Sequence, residues 1–175
     1  SILGKLLGSN SVITTKIPKK PDSQDIYEWT FKNIYQSILS LGRSQIDELL
    51  FHNSEDILQS DKKIVKKLFK DLKDKNLVKK IGLSVYEFDK FHYLLEHFDI
   101  DIIQAPFNII DRRLAEEGWL NILKSNSVRV DVRSSFLQGL VFMNNSERNI
   151  YFHKWSHIWD ELDSWKAANK ELSVL

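Results

Sequence analysis

The sequence predicts an α/β fold built on a parallel sheet. Short apolar or β-branched runs alternate with longer segments whose apolar residues recur every three or four positions. The runs are apolar almost throughout, as strands buried on both faces must be, and a strand, helix, strand order needs crossovers that return over the sheet.

The runs are residues 12–17, 46–51, 79–85, 100–105 and 128–133, five strands bounded by polar turns. The first opens on Val12-Ile13-Thr14-Thr15 and runs into Lys16. Between it and the second, Ile26, Trp29, Ile34, Ile38 and Leu41 mark an amphipathic helix, with Ser23 ahead of it as a start signal. The second run ends before Ser54, which precedes a helix opened by Glu55-Asp56; Ile64, Leu68, Phe69 and Leu72 continue the helical spacing. Phe88, Phe91, Leu94, Leu95 and Phe98 mark the next helix, and Asp111 opens "DRRLAEEGWLNILKS" as another.

Two parallel architectures compete, the closed eight-stranded barrel and the open doubly wound sheet. The open sheet calls for a Gly-rich phosphate turn after its first strand, whereas this chain has "KIPKKPDSQD", without glycine. The strand ends favour the (β/α)8 barrel, with parallel strands inside and helices outside. They carry Lys16, His52, Ser84, Gln104 and Arg133, one polar residue each, where barrel enzymes keep their chemistry. Singly, a lysine at a strand end is a solvated group and a histidine before Asn53-Ser54 a turn residue. Five in succession share one rim.

With 175 residues the chain suits one domain over its whole length, residues 1–175. Its 25 Lys+Arg against 24 Asp+Glu leave +1, so no overall field draws in nucleic acid or an anionic membrane. The basic stretch at 62–80 is interleaved with Asp71 and Asp74 at helical spacing and reads as a solvated helix face. The absence of cysteine excludes thiol nucleophiles, disulfides and cysteine-ligated metals, and fits a reducing cytoplasm. No stretch approaches the ~20 apolar residues of a bilayer span. The chain is expected to be cytoplasmic, with neither membrane nor nucleic acid as partner.

Five stretches together resemble the aldo-keto reductases, barrel enzymes that reduce aldehydes and ketones with a nicotinamide cofactor. "VITTK" resembles the family's strand ending in the catalytic lysine, and "SILSLGRSQIDELLFHN" its helix, turn and strand ending in the catalytic histidine. "KDKNLVKKIGLSVY" resembles its lysine-rich turn and Ile-Gly-x-Ser strand. "IDIIQAPFNIIDRRL" and "VRVDVRSSFLQGL" are similar to the next two strands, most of all in a bacterial subgroup. The resemblance covers strands three to seven of eight, so an incomplete barrel is expected.

The resemblance implies roles. Lys16 would stand beside a catalytic tyrosine and lower its pKa, because an ammonium favours the phenolate. His52 would hydrogen-bond the substrate carbonyl. Ser84 and Gln104 would hold the carboxamide of NADPH or NADH. Arg133 falls where an aromatic residue usually lies under the nicotinamide, and a guanidinium also stacks. Ser134 and the backbone at Phe136, Gln138 and Gly139 would approach the pyrophosphate. Val85 replaces the family's usual asparagine and removes one carboxamide contact.

The family's tyrosine and its paired aspartate belong to a strand and loop ahead of Lys16, and the first ten residues contain neither; "ILGKLLGSN" resembles the helix after that loop. A piece of a barrel leaves two strand edges unpaired. Part of a longer polypeptide is therefore one expectation, and repair of the edges by homo-oligomerisation or by refolding of the ends the other. The aromatic C-terminal stretch with Tyr151, Phe152, Trp155, Trp159 and Trp165 reads as a cover helix or as a patch over an open edge or dimer interface. Two functions follow: NAD(P)H-dependent reduction of a small carbonyl substrate, or a non-catalytic module that keeps the scaffold and weak nucleotide binding.

Overall fold

The computed structural model describes residues 2–6, 8 and 10–169, which fall into two compact units, Ser1–Arg133 and Ser134–Leu175. In the first, β1 (Thr14–Ile17), β2 (Ile46–Phe51), β3 (Val78–Ser84), β4 (Ile102–Pro106) and β5 (Arg129–Arg133) form one sheet in the order β1-β2-β3-β4-β5. All four pairings are parallel, as expected. The helices are α1 (Ile2–Leu6), α2 (Ile26–Leu41), α3 (Glu55–Leu58), α4 (Lys62–Asp74), α5 (Phe91–His97), α6 (Arg113–Glu116) and α7 (Trp119–Ser125).

β2 has the limits the sequence predicts, and the other strands differ from expectation by one or two residues at one end or both. β1 begins at Thr14: Val12 is exposed, and the Ile13 N–H donates to the side-chain carboxylate of Asp47 on β2 at 3.0 Å rather than to a backbone carbonyl, although the Ile13 carbonyl accepts from the Glu48 N–H at 3.0 Å. α2 is capped by Asp25, not Ser23: its carboxylate accepts from the N–H of Tyr27 (2.8 Å) and Glu28 (3.2 Å). Gly42 ends α2 at φ 66°, a left-handed stop that a side chain would strain. Asp111 does not open a helix; it grips the Arg113 guanidinium through two bonds of 2.9 Å, and Gly118 at φ 80° splits the expected helix into α6 and α7.

Odd-numbered strand positions Ile17, Leu49, Phe51, Ile81, Leu83, Val85, Ile103 and Ala105 pack with the helices into one apolar core. Register pairs join Lys16, Leu50, Gly82, Ile102 and Arg129 in one row, and in a pleated sheet these residues and those two positions away share the opposite face. That face is charged at both ends of the strands. Near its start Glu48, buried, accepts two bonds of 2.6 Å from Arg129 and one of 2.7 Å from the Thr14 hydroxyl, while Arg129 also grips Asp131 at 2.9 Å.

Above this lies an apolar layer of Leu50, Gly82 and Ile102. A β-carbon at Gly82 would stand 2.4 Å from the Ile102 carbonyl oxygen and 2.6 Å from Leu50 Cδ2, so only glycine lets β3 and β4 close here. On the helix side α4 pairs its lysines with acids: Lys67 with Asp71 at 2.5 Å, Lys70 with Asp74, and Lys73 with Asp99 and Asp101 at 3.0 Å. No helix among the described residues is long and apolar enough to cross a membrane.

The second unit has 3-10 turns at Leu137–Phe142 and Ile150–Trp155 and then α8 (Ser156–Ala168); residues 170–172 of the expected C-terminal helix lie outside the described residues. Its centre is Arg148, buried, which stacks on Trp159 at 4.7 Å and bonds Asn145 (2.5 Å) and Asp163 (3.4 Å). Trp159 is buried with it, whereas Tyr151 and Trp165 are exposed.

Candidate active site

Four of the five expected strand-end residues lie at or just past the carboxyl end of their strand, whereas Gln104 falls inside β4, which runs on to Pro106. Lys16 is the penultimate residue of β1, Ser84 the last of β3, Gln104 the middle residue of β4 and Arg133 the last of β5; His52 follows β2 directly and extends the ladder by donating its N–H to the Ile17 carbonyl at 3.0 Å. Strand twist and parallel register bring several of them together. Ser84 and Gln104 are register partners. The Lys16 ammonium donates to Gln104 Oε1 at 2.5 Å, across two intervening strands.

The electrostatics of this cluster are distinctive. Lys16 is held below the ordinary lysine value, first because its ammonium is partly withdrawn from water and second because the Arg133 guanidinium repels the proton. Arg133 donates to the Val85 carbonyl at 3.0 Å and lies 3.9 Å over the Tyr86 ring. The Ser84 hydroxyl is buried and has no hydrogen-bond partner among the described residues. A buried polar atom without a partner costs free energy unless something else bonds to it. The Val85 side chain belongs to the helix-covered core, and only its carbonyl, through Arg133, takes part in this cluster.

Tyr86 was not among the residues singled out from the sequence. Its signal was available in "SVYEF", an aromatic directly past a strand end, but only the fold pairs it with Arg133. Two cavities lie nearby or beyond. One of about 350 Å3 sits between the loops after β1 and β2, lined by Lys19, Lys20, Asp22, Asn53 and Asp56 among others, beside the rim. A groove of about 670 Å3 between α4 and α5 contains none of the predicted residues, and its place on the helix side separates it from the strand ends.

Ser134, Phe136, Gln138 and Gly139 begin the second unit. Ser134 (φ 59°), Leu137 (48°), Gln138 (57°) and Gly139 (90°) all take left-handed backbone, which is unusual for three non-glycine residues. Such turns present backbone N–H groups in a concave array suited to anions. The turn also spends hydrogen bonds internally, from the Gly139 N–H to the Phe136 carbonyl at 2.8 Å and from the Leu137 N–H to the Ser134 carbonyl at 3.2 Å.

A parallel five-stranded α/β sheet of barrel type, with its polar groups gathered on the carboxyl rim, sets the class of this protein. The chain belongs to the aldo/keto reductase family, a family of oxidoreductases, whose family model matches residues 2–173. It is 32% identical over 71 residues to the NADH-specific methylglyoxal reductase of Escherichia coli (strain K12), a stretch that is 41% of this chain and 22% of that protein. An aldo-keto reductase from Bacillus halodurans superposes with a TM-score of 0.68 at 22% identity, over 79% of this chain and 47% of that one. The glycerol dehydrogenase of Gluconobacter oxydans gives 0.72 at 17% identity, over 98% and 60%. These likenesses establish the barrel-type fold, and the chain spans less than two thirds of the length of each relative.

Proposed function

We propose that this chain carries the nicotinamide and carbonyl-binding rim of an NAD(P)H-dependent reductase that converts a small aldehyde or ketone to an alcohol. The observation that carries the reading is the buried, unpartnered hydroxyl of Ser84 facing its register partner Gln104. A hydroxyl and a primary amide side by side match a carboxamide, which both donates and accepts. The bound reduced nicotinamide would supply hydride to the carbonyl carbon.

The chain's own residues would do the rest. His52, at the rim on the strand beside Lys16, would donate a hydrogen bond to the substrate oxygen and orient it. Lys16 would acidify a phenol brought beside it, since its charge stabilises the phenolate more than the neutral hydroxyl. Gln104 would have to release Lys16, in whole or in part, to bond a carboxamide with its oxygen. The name of the Escherichia coli relative makes NADH the first cofactor to try, with NADPH beside it.

One observation favours a second reading, a nucleotide-binding module without turnover: Val85 is fully buried in the core, so one expected carboxamide contact is missing. Fluorescence titration with NADH and NADPH, followed by turnover of methylglyoxal and of a simple aliphatic aldehyde, decides between them. Binding with turnover supports the reductase; binding alone leaves the module; no binding of either nucleotide removes both.

A further inference from the structure

We propose that the rim discriminates between the two redox states of a nicotinamide, binding the reduced, uncharged ring more tightly than the oxidised, cationic one, with Arg133 as the discriminating group. This rests on the nucleotide-binding reading above and goes beyond it, since that reading is silent on redox state.

A carboxamide reaching Ser84 and Gln104 brings its ring beside Lys16, whose ammonium is 2.5 Å from Gln104 Oε1. It also brings the ring beside Arg133, whose guanidinium is 3.0 Å from the carbonyl of Val85, the residue next to Ser84. Arg133 is held in place by that bond and by its stack on Tyr86 at 3.9 Å, so its charge does not swing away when a ligand arrives. The carboxylates on this face, Glu48 and Asp131, are gripped by Arg129, and Asp111 is gripped by Arg113. Withdrawal from water is the larger reason that Lys16 is held below the ordinary lysine value, and the Arg133 charge adds to it.

Oxidised and reduced dinucleotides share their pyrophosphate, riboses and adenine and differ by one positive charge on the ring. The ratio of their affinities therefore isolates the field at the ring from every other contact. A unit charge a few ångströms from a fixed cation, at the effective dielectric of a protein rim, is worth about tenfold or more in affinity. A site so arranged retains the hydride donor and expels the spent cofactor.

The test measures dissociation constants for NADH and NAD+ by calorimetry at low salt, for the unaltered chain, R133K and R133Q. NADH is expected to bind about tenfold more tightly than NAD+. R133K keeps the ratio, and R133Q lowers it at least about threefold. Added sodium chloride narrows the ratio in the unaltered chain, which keeps the test decisive if R133Q does not fold. Equal affinities for the two forms, or a ratio indifferent to both R133Q and salt, overturn this inference alone. Binding of neither form overturns the nucleotide-binding reading and this inference with it.

Discussion

One face of the sheet carries two charged layers, and their chemistry is opposite. At the start of the strands Glu48 is buried, yet three hydrogen bonds from Arg129 and Thr14 surround it, and they outweigh burial to hold its carboxyl below the usual glutamate range. At the carboxyl rim the Lys16 ammonium meets a neutral amide, the Ser84 hydroxyl meets nothing among the described residues, and burial with repulsion lowers Lys16. The first layer is complete in itself. The second is not, and on the proposed reading a bound nicotinamide completes it, a division of labour between stability and chemistry of the kind barrels show.

Four experiments press on that contrast. The largest effect falls at the rim. In a form that turns over, Lys16→Met is expected to cost about 100-fold or more in kcat/KM, the scale of a lost acid–base group, while stability holds or rises slightly. The sign follows from the lowered pKa: the folded chain holds this proton less well than the unfolded chain, so the charged lysine costs stability at neutral pH. Unchanged activity would make Lys16 a surface residue.

At the paired layer the pattern reverses. Arg129→Ala strands the buried Glu48 carboxylate, and urea denaturation should show a loss of about 2–3 kcal/mol, below the fully buried case because the Arg129 side chain is 42% exposed. Nucleotide affinity should change little.

Glu48→Gln sharpens the comparison through pH. With a folded pKa below its ordinary value of 4.5, Glu48 stabilises the fold above that value, and the contribution fades as pH falls through the folded pKa. Stability of the unaltered chain should therefore drop as pH is lowered below about 5, and the glutamine variant should show a shallower drop. Parallel profiles would mean that other carboxylates control acid unfolding.

The smallest effect on stability is the most telling. Ser84→Ala deletes a hydroxyl that has no hydrogen-bond partner among the described residues, so its stability should stay within about 0.5 kcal/mol of the original. Nucleotide affinity should fall about fivefold to tenfold, the cost of one hydrogen bond. A large loss of stability with unchanged affinity would make Ser84 a structural residue.

The positions of Lys16, His52, Ser84 and Arg133 near strand ends were legible from the sequence because each closes an apolar run, a local pattern that survives without knowing which strands pair, while Gln104 was misplaced because β4 continues through Ala105 to Pro106. The five strands and their parallel order were legible for the same reason. The lower layer was not: Glu48 reads as a polar interruption of an apolar run, and its partner Arg129 lies 81 residues away, so only the register reveals them as a pair. Nor was the direct bond from Lys16 to Gln104, which spans 88 residues. The break at Gly118 escaped because helical spacing continued across it, while the left-handed backbone there ended the helix. The distinct second unit escaped because its centre is a buried arginine rather than an apolar stripe.

Gly82 has a consequence for the precision of the rim. The missing side chain lets the backbones of β3 and β4 approach to ordinary strand spacing at that level, and Ser84 and Gln104 sit one pleat further along the same two strands. Their separation is thus set from below, as the jaws of a calliper are set by its hinge. A methyl group at position 82 would leave every rim residue chemically intact and still open the gap between them, so the tolerance of the site is written into a residue that bears no functional group.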